Sequence, residues 1–270
     1  MFTVQRHRPS PWLAPFVRAF EARSQRLDVL IVPRPLPARP EHFLEFYLAD
    51  RYRVREAATG AVDTAPPAVL VGPQTYRRVD VLLTGQLDLF TIQFTPTGFS
   101  ALFGHPTTVL TDQAHDARSV LGERVGEVSE RLAATPDMTH RVAIAEAWLG
   151  RLVSGAPEDP IAWAARQMTR LTGGVRVAEL AALTDLSERQ FERRFTAAVG
   201  VAPKRYARIL RFREALRLHE LGDATGWAAI AHAAGYVDQA HMIHEFRALS
   251  GETPQRLARS LAPARESGSS

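Results

Sequence analysis

The sequence contains no cysteine. That absence excludes disulfide bonds, thiolate metal sites and cysteine nucleophiles. The sequence also lacks any run of about 18 apolar residues, the length that a membrane-spanning helix needs. Residues 1–12 lack the apolar segment of a secretory signal. We therefore expect a cytoplasmic protein that does not enter a membrane.

The usual signatures of catalysis and of metal binding are missing as well. The sequence has no HExxH, no GxSxG and no glycine-rich phosphate loop. The histidines of the first half have no second histidine or carboxylate at the spacing of a metal site; they are His7, His42, His105, His115 and His140. These absences predict a protein that is not an enzyme and that needs neither a metal ion nor a cofactor.

Positive charge is concentrated in the second half of the chain. The 270 residues suit two domains of ordinary size. Residues 1–159 contain 17 Lys and Arg against 18 Asp and Glu, a net charge of −1, whereas residues 160–270 contain 16 against 11, a net charge of +5. The excess cations favour a phosphate backbone as the partner of the second half, although many domains that bind no nucleic acid are as basic.

One pattern occurs twice in this second half, at an offset of 51 residues and without a gap. The copies are SERQFERRFTAAVGVAP (187–203) and DQAHMIHEFRALSGETP (238–254). Each copy opens with a helix-capping residue, Ser187 or Asp238, and Gln190 completes a capping box in the first copy. Apolar residues recur at helical spacing, and a glycine ends each pattern. Each copy therefore predicts one helix with a polar outer face.

A short apolar helix is predicted before each copy, over 177–183 and 227–234, with about three residues between the helices. Two helices joined by so short a turn are the plan of a helix-turn-helix. Between the two units, residues 204–221 predict a helix of roughly 27 Å. Such a linker would hold two recognition helices about one turn of duplex DNA apart, roughly 34 Å.

These features together resemble the AraC/XylS family of transcription regulators. The resemblance covers residues 160–261 and rests on the two helix-turn-helix units, the RFREAL motif at 211–216 and the run IAHAAGYVDQAHMIHEFRALSGETP at 230–254. It implies an all-α DNA-binding domain that follows an N-terminal sensor or dimerisation domain. Alkyl-transfer DNA repair proteins carry a similar DNA-binding half, and the lack of cysteine excludes them.

The resemblance also implies roles for the polar residues of the two recognition helices. The positions that read base edges in the family are held here by Arg189, Glu192 and Arg193 in the first helix, and by Gln239, Ala240, His241 and His244 in the second. Arginine can form a fork with guanine, glutamate can accept from cytosine, and alanine can touch a thymine methyl group. His244 stands where relatives often have arginine, so we expect the second helix to be the weaker reader.

Five further residues are candidates for contacts to the DNA backbone, which fix register without reading sequence; they are Ser187, Arg194, Lys204, Arg208 and Arg211. The alternative for the polar face of the first helix is a solvated surface with no partner. For the second helix, the alternative is a metal site at His241 and His244. Two histidines without a third ligand are only a weak indication of such a site.

The N-terminal half is predicted to be mainly β. Residues 1–40 are proline-rich, which predicts irregular chain with one strand at 27–32. Short β-like segments alternate with turn signals from 42 to 94, including a turn at Gly85-Gln86. The pattern predicts a small antiparallel sheet or partly closed barrel. In this sheet the charged residues are most simply a solvated strand face, or else part of an effector pocket; they are Glu41, Glu45, Arg51, Arg53 and Arg55.

Two helices with one apolar face each are predicted after the sheet, over 117–134 and 138–153. In relatives of the resembled family a helical pair at this place often forms a dimer contact; the alternative is that both helices cover the sheet. The predicted fold class is therefore α+β: an N-terminal antiparallel sheet or barrel with helices, then an all-α domain with two helix-turn-helix units.

The predicted division is a sensor or dimerisation domain (1–153), a linker (154–159), a DNA-binding domain (160–261) and a disordered tail (262–270). The predicted function is sequence-specific regulation of transcription in response to a small-molecule effector, whose binding residues the sequence does not identify. Duplex DNA is the predicted partner; RNA polymerase, an effector and a second copy of the chain are further candidates. Two rivals remain, a β-barrel enzyme with a DNA-binding appendage and an effector-free DNA-binding assembly protein.

Overall fold

The computed structural model describes residues 3–56, 59–75, 77–153, 159–222 and 226–261. Its first part is an antiparallel sheet. The strands are β1 (Thr3–His7), β2 (Val17–Leu36), β3 (Phe43–Tyr47), β4 (Arg53–Glu56), β5 (Val62–Thr64), β6 (Ala68–Val71), β7 (Arg77–Phe94) and β8 (Ala114–Asp116). Their order in the sheet is β1-β2-β7-β3-β6-β8, and β4 and β5 extend it beside the first half of β7.

From Gly98 onward the described residues are mainly helical, with β8 as a short strand among them. The first group is α1 (Gly98–Phe103), a short 3₁₀ helix (Thr107–Leu110), α2 (Ala117–Leu121), α3 (Arg124–Ala133) and α4 (Met138–Leu149). The second is α5 (Pro160–Arg170), α6 (Val177–Ala182), α7 (Glu188–Val199), α8 (Pro203–Leu221), α9 (Trp227–Ala233), α10 (Gln239–Ser250) and α11 (Pro254–Leu261). The predicted fold class is confirmed.

The core of the first half lies between one face of the sheet and the helices α3 and α4. Alternate side chains of β3 and β7, such as Phe46 and Phe90, are fully buried there against Val128 and Trp148. Of the two alternatives for the helical pair, the structure shows that the apolar faces cover the sheet. The helix predicted over 117–134 is divided into α2 and α3 because Gly122 takes a positive φ of 84°.

The prediction of irregular chain before residue 27 was wrong, because β2 begins at Val17 and runs for 20 residues. Proline usually disfavours a strand, yet Pro33 and Pro35 lie within β2, opposite Asp80 and Arg78 of β7. Among the described residues β1 pairs with β2 only over 20–24, so the later part of β2 is an edge. A proline is tolerated on an edge strand because its missing N–H is not needed for pairing.

The turn predicted at Gly85-Gln86 was also wrong, since β7 continues through both residues to Phe94. Gly85 has a positive φ of 79°, and the register between β2 and β7 shifts beside it, between Leu27 and Leu30. This is a β-bulge whose extra residue lies on β2, opposite the part of β7 next to Gly85. The irregularity therefore bends the paired strands and does not end β7.

The second half contains two hydrophobic cores that share α8. Tyr206 and Leu210 of α8 pack with the first helix-turn-helix, where Phe191 and Phe195 are fully buried. On the other side, Phe212 packs with the second unit, and its ring lies 4.6 Å from that of Phe246. Because one continuous helix belongs to both cores, α8 fixes the orientation of the two units relative to each other.

The first half contacts the C-terminal ends of α7 and α10. The hydroxyl groups of Thr107 and Thr111 donate to the carbonyl oxygens of Ala197 and Gly200, at 3.0 and 2.7 Å. The amide of Ala38 donates to the carbonyl oxygen of Leu249 at 2.8 Å. The last carbonyl groups of a helix lack hydrogen-bond donors within the helix. The first half supplies such donors and so stabilises the C-terminal ends of both helices.

The proposed domain division is only partly visible. Residues 154–158 of the predicted linker and 262–270 of the predicted tail lie outside the described residues, so both assignments stay predictions. Asp159 caps α5 by accepting from the amide of Ile161 at 2.8 Å. In the described ranges, no helix has the length and apolar character needed to cross a membrane.

Candidate nucleic-acid interface

The helices α7 and α10 are equivalent in length, capping and buried face. Each has 12 residues, and they begin 51 residues apart. Ser187 accepts from the amide of Gln190 in a complete capping box, and Asp238 accepts from the amide of His241 at 2.7 Å. Both caps confirm the sequence-based prediction. Gly200 ends α7 and Gly251 ends α10, both in the left-handed conformation.

The turns that precede the two helices differ in detail. In the second unit Gly235 supplies the positive φ, at 79°. In the first unit Thr184 holds the matching place, and the positive φ of 54° falls one residue later, on Asp185. The hydroxyl of Thr184 donates to the carbonyl oxygen of Ala181 at 2.8 Å, which holds this turn without glycine. The short connection required of a helix-turn-helix is thus present in both units.

The predicted base-reading residues of α7 form an exposed and unengaged surface. Arg189, Glu192 and Arg193 are all exposed. Their side chains have no hydrogen-bond or ion-pair partner within the described part of the chain. Two guanidinium groups and a carboxylate are therefore free to form charge-assisted bonds with an external partner.

The predicted base-reading residues of α10 are less uniform. Gln239, Ala240 and His244 are exposed, whereas His241 is half-buried. The ring of His241 packs edge-on against Tyr236 with the ring centroids 5.5 Å apart, and its Nδ1 lies 3.5 Å from the amide of Val237. Because the His241 side chain already has contacts inside the unit, base reading by it is less favoured than the sequence suggested.

One exposed residue of this surface was missed by the sequence reasoning. Val237, in the turn directly before α10, is 86% exposed. A valine so exposed beside the N-terminal end of a recognition helix could contact the methyl group of thymine. The sequence signal for it is an apolar residue directly before the cap Asp238.

The predicted backbone-contact residues are in different situations. Lys204 is exposed and, among the described residues, has no partner. Ser187 is occupied by the capping box, and Arg194 pairs with Asp159 at 3.1 Å. The guanidinium of Arg211 lies 5.9 Å from the ring centre of Tyr236. Of these four residues, Lys204 is the one most available to a phosphate.

Arg208 has a structural partner instead of an open surface. Its Nε and Nη2 donate to the two carboxylate oxygens of Glu245 at 2.7 and 3.0 Å. The pair joins α8 to α10, and the Glu245 side chain is only 9% exposed. A buried carboxylate needs such a counter-ion because desolvation of a lone charge is costly. The pair therefore fixes the position of α10 on α8.

We expect Arg208→Ala to lower the free energy of unfolding by about 1–2 kcal/mol, since it leaves Glu245 buried without a counter-ion; partial exposure of Arg208 keeps the value below that of a fully buried pair. Adding Glu245→Leu should restore most of the loss. The matched control is Lys204→Ala, which should leave the free energy of unfolding unchanged. It should reduce the slope of the logarithm of the DNA-binding constant against the logarithm of the salt concentration by about one. Urea unfolding and a salt titration measure both; a stable Arg208→Ala with a reduced salt slope would instead make Arg208 a phosphate contact.

The geometry thus contains two capped, polar-faced helices, each packed on a short preceding helix, with α8 between the units. Residues 180–260 match a family described as a helix-turn-helix domain. Residues 180–260 therefore form a helix-turn-helix domain of the AraC type. The chain is accordingly a DNA-binding regulator of transcription.

The N-terminal part of the chain matches a family without an assigned function. Residues 5–116 match a family described as a domain of unknown function, DUF6597. No curated protein sequence matches the chain. In the described ranges, no three histidine, aspartate or glutamate side chains are grouped to hold a metal ion.

Three solved structures illustrate what this chain is similar to. ToxT from Vibrio cholerae is 8% identical with a TM-score of 0.48, over 97% of this chain and 99% of ToxT. The DNA-binding domain of AdpA, a global transcriptional factor solved with a target DNA, is 26% identical with a TM-score of 0.37, over 41% of this chain and 100% of that one. The AraC-like transcriptional activator CuxR is 14% identical with a TM-score of 0.26, over 82% and 87%.

Proposed function

We propose that the AraC-type domain places α7 and α10 in successive major grooves on one side of a DNA duplex, and that α7 is the main reader of sequence. The observation that carries the proposal is the exposed and unengaged set Arg189, Glu192 and Arg193 on a capped helix. The 19 residues of α8 span roughly 28 Å. That length is compatible with two helices about one DNA turn, roughly 34 Å, apart.

The division of labour between the helices follows from their side chains. An arginine can bond the O6 and N7 atoms of guanine together, and a glutamate can accept from the amino group of cytosine. Among the predicted base-reading residues of α10 the exposed groups are one amide, one methyl group and one imidazole, with Val237 nearby. We expect these groups to favour thymine-rich sequence through apolar contacts with thymine methyl groups. They are less suited than the α7 residues to identifying a base by two parallel hydrogen bonds.

The second element of the proposal is that the N-terminal half senses a small molecule and transmits its presence to the DNA-binding domain. It is supported by the hydrogen bonds of Thr107, Thr111 and Ala38 to the ends of α7 and α10. A shift of the first half would act directly on both recognition helices. The rival, an effector-free assembly protein, would use the same contacts only to hold the helices still.

The test of DNA binding begins with selection of bound duplexes from a random pool by the full chain. We expect an enriched sequence whose affinity falls by at least roughly tenfold between 50 and 200 mM salt, as two or more released counterions require. A scrambled duplex is the control and should bind more weakly at every salt concentration. Failure to enrich any sequence, or affinity that is independent of salt, would contradict the proposal.

A further inference from the structure

The polar face of the N-terminal sheet, opposite its core, forms a cavity of about 230 Å³ that α8 covers in part. Strand alternation places one row of side chains on this face, because Glu21 of β2 and Glu45 of β3 both lie opposite Thr91 of β7. Arg213 of α8 lies on the other side of the cavity. The cavity is therefore bounded by both halves of the chain.

The carboxylates of the lining are already engaged. Each has a partner in the structure: Glu21 pairs with Arg23 at 2.8 Å, Glu41 with Arg18 at 3.4 Å, and Glu45 accepts from the hydroxyl of Tyr47 at 2.6 Å. The charges of Glu21 and Glu41 are thus offset by arginines of the same lining.

The guanidinium groups of Arg39 and Arg213, by contrast, have no carboxylate within ion-pairing distance in the described ranges. Arg39 lies over the ring of Phe43, 4.5 Å from its centre, and its buried Nε has no hydrogen-bond partner there. The described residues of the lining include five arginines and three glutamates. Its net positive charge and its two uncommitted guanidinium groups favour an anion.

Thr91 supplies an independent indication of a ligand. Its side chain lines the cavity and is only 3% exposed, yet its hydroxyl has no hydrogen-bond partner among the described residues. Buried hydroxyl groups are nearly always hydrogen-bonded, because an unmade bond costs free energy. A ligand with a hydroxyl group beside its anionic group would fill this requirement.

We propose that the cavity binds a small hydroxylated anion, a carboxylate or a phosphate, with Arg39 and Arg213 on the anionic group and Thr91 on the hydroxyl. The volume equals that of roughly eight water molecules at ~30 Å³ each, which suits a polar metabolite and not a long apolar chain. Among the described residues that line the cavity, Phe43 alone is apolar. This inference rests on the small-molecule regulation proposed above and names its site and ligand class.

The site is coupled to α10 through the residue next to Arg39. Ala38 is fully buried in the core of the second helix-turn-helix, and its amide donates to the carbonyl oxygen of Leu249. The backbone of Arg39 is in turn held by two hydrogen bonds with that of Gln74, at 2.7 and 2.8 Å. An anion that draws Arg39 towards Arg213 therefore acts on the segment that holds the end of α10, and DNA affinity changes with occupancy.

The experiment is calorimetric titration of the full chain, without DNA, with citrate, glucose 6-phosphate and inorganic phosphate in turn. Glucose and spermidine are the neutral and cationic controls. We expect one of the hydroxylated anions to bind at a single site, and Arg39→Gln and Arg213→Gln to weaken it about tenfold each. The matched control Arg151→Gln removes the same charge from an exposed position outside the cavity and should change nothing. Thr91→Val should weaken the hydroxylated anion but not inorganic phosphate.

The proposal is overturned if no anion binds, if glucose or spermidine binds better, or if Arg151→Gln weakens binding as much as the cavity variants do. Arg213 is exposed, so its variant is expected to fold even if substitution of Arg39 disturbs the contact between the halves. DNA affinity is then measured with and without the bound anion. An unchanged affinity would overturn the coupling while DNA binding itself stands, and absence of DNA binding both with and without the anion would instead contradict the proposed function.

Discussion

Arg193→Ala is expected to weaken binding to the selected duplex by roughly tenfold to a hundredfold, and His244→Ala to weaken it less. A bidentate contact between arginine and guanine discriminates by about 1–3 kcal/mol, which corresponds to this range. Arg193 is exposed on α7 and, in the described ranges, has no partner that would restrain it. The ring of His244 cannot present two parallel donors to one base, so its loss removes less.

Both variants are compared by fluorescence anisotropy on one duplex at one salt concentration. Arg151→Ala, which removes a charge from an exposed position far along the chain from α7, corrects for the general loss of positive charge. Base substitutions beneath each helix provide a second readout, and those beneath α7 should be the more damaging. If His244→Ala proves the more harmful variant, α10 is the main reader and the assignment of roles is wrong.

The stability of the folded chain is expected to fall in mild acid because of His42. Its ring is fully buried, is stacked on Phe99 with the ring centres 5.8 Å apart, and has no hydrogen-bond partner on either nitrogen among the described residues. Burial lowers the pKa of His42 from 6.5 to about 3, because a charged imidazole would lose its hydration. The folded chain therefore keeps this ring neutral at a pH where the unfolded chain protonates it.

The direction follows from proton uptake. Above pH 6.5 the ring is neutral in both states and full stability is present; between 6.5 and about 3 only the unfolded state takes up the proton, so stability falls as the pH falls. At roughly 1.4 kcal/mol per pH unit, the loss at about pH 4.5 is between about 2 and 3 kcal/mol. Other groups add their own acid dependence, so the prediction concerns a difference between variants.

Urea unfolding of the wild type and of His42→Phe, at about pH 7.5 and 4.5, isolates the contribution of this residue. The variant should lose about 2–3 kcal/mol less than the wild type between the two pH values. His42→Leu is a second variant in case the larger ring of phenylalanine does not fit. Equal acid losses in the wild type and in both variants would show that His42 takes up its proton in the folded state as it does in the unfolded one.

The helix-turn-helix units could be predicted closely from the sequence because their signals are local. A cap such as Ser187 or Asp238, an apolar residue every third or fourth position and a closing glycine each act within a few residues. The structure places α7 and α10 within these limits, 51 residues apart. Only the first turn departs from the pattern, since Asp185 takes the positive φ that Gly235 takes in the second unit.

The sheet could be predicted only in outline, because its signals depend on which strand lies beside which. Pro33 and Pro35 disfavour a strand unless that strand is an edge, and Gly85 indicates either a turn or a bulge. Local sequence does not distinguish these alternatives, whereas the pairing of β2 with β7 does. The same reason explains why β2 and β7 proved longer than predicted.

In the candidate site, too, local features could be predicted from the sequence, whereas contacts between distant residues could not. Exposure of Arg189, Glu192 and Arg193 followed from helical periodicity. The engagement of Arg208 by Glu245 and of His241 by Tyr236 joins residues that are not neighbours on one helix face, and no periodicity within a single helix reports it. The cavity at Arg39 and Arg213 unites residues that are 174 positions apart, so it became visible only in the folded chain.

The central claim, two recognition helices in successive major grooves with α7 as the stronger reader, is tested most directly by footprinting at single-base resolution. Hydroxyl-radical and guanine-methylation protection are measured with the full chain on the selected duplex. The account predicts two protected windows on one face of the DNA, about one helical turn or roughly 10 base pairs apart, with guanine protection concentrated in the window that Arg193→Ala abolishes. A single window, or protection that Arg193→Ala leaves unchanged, would contradict it.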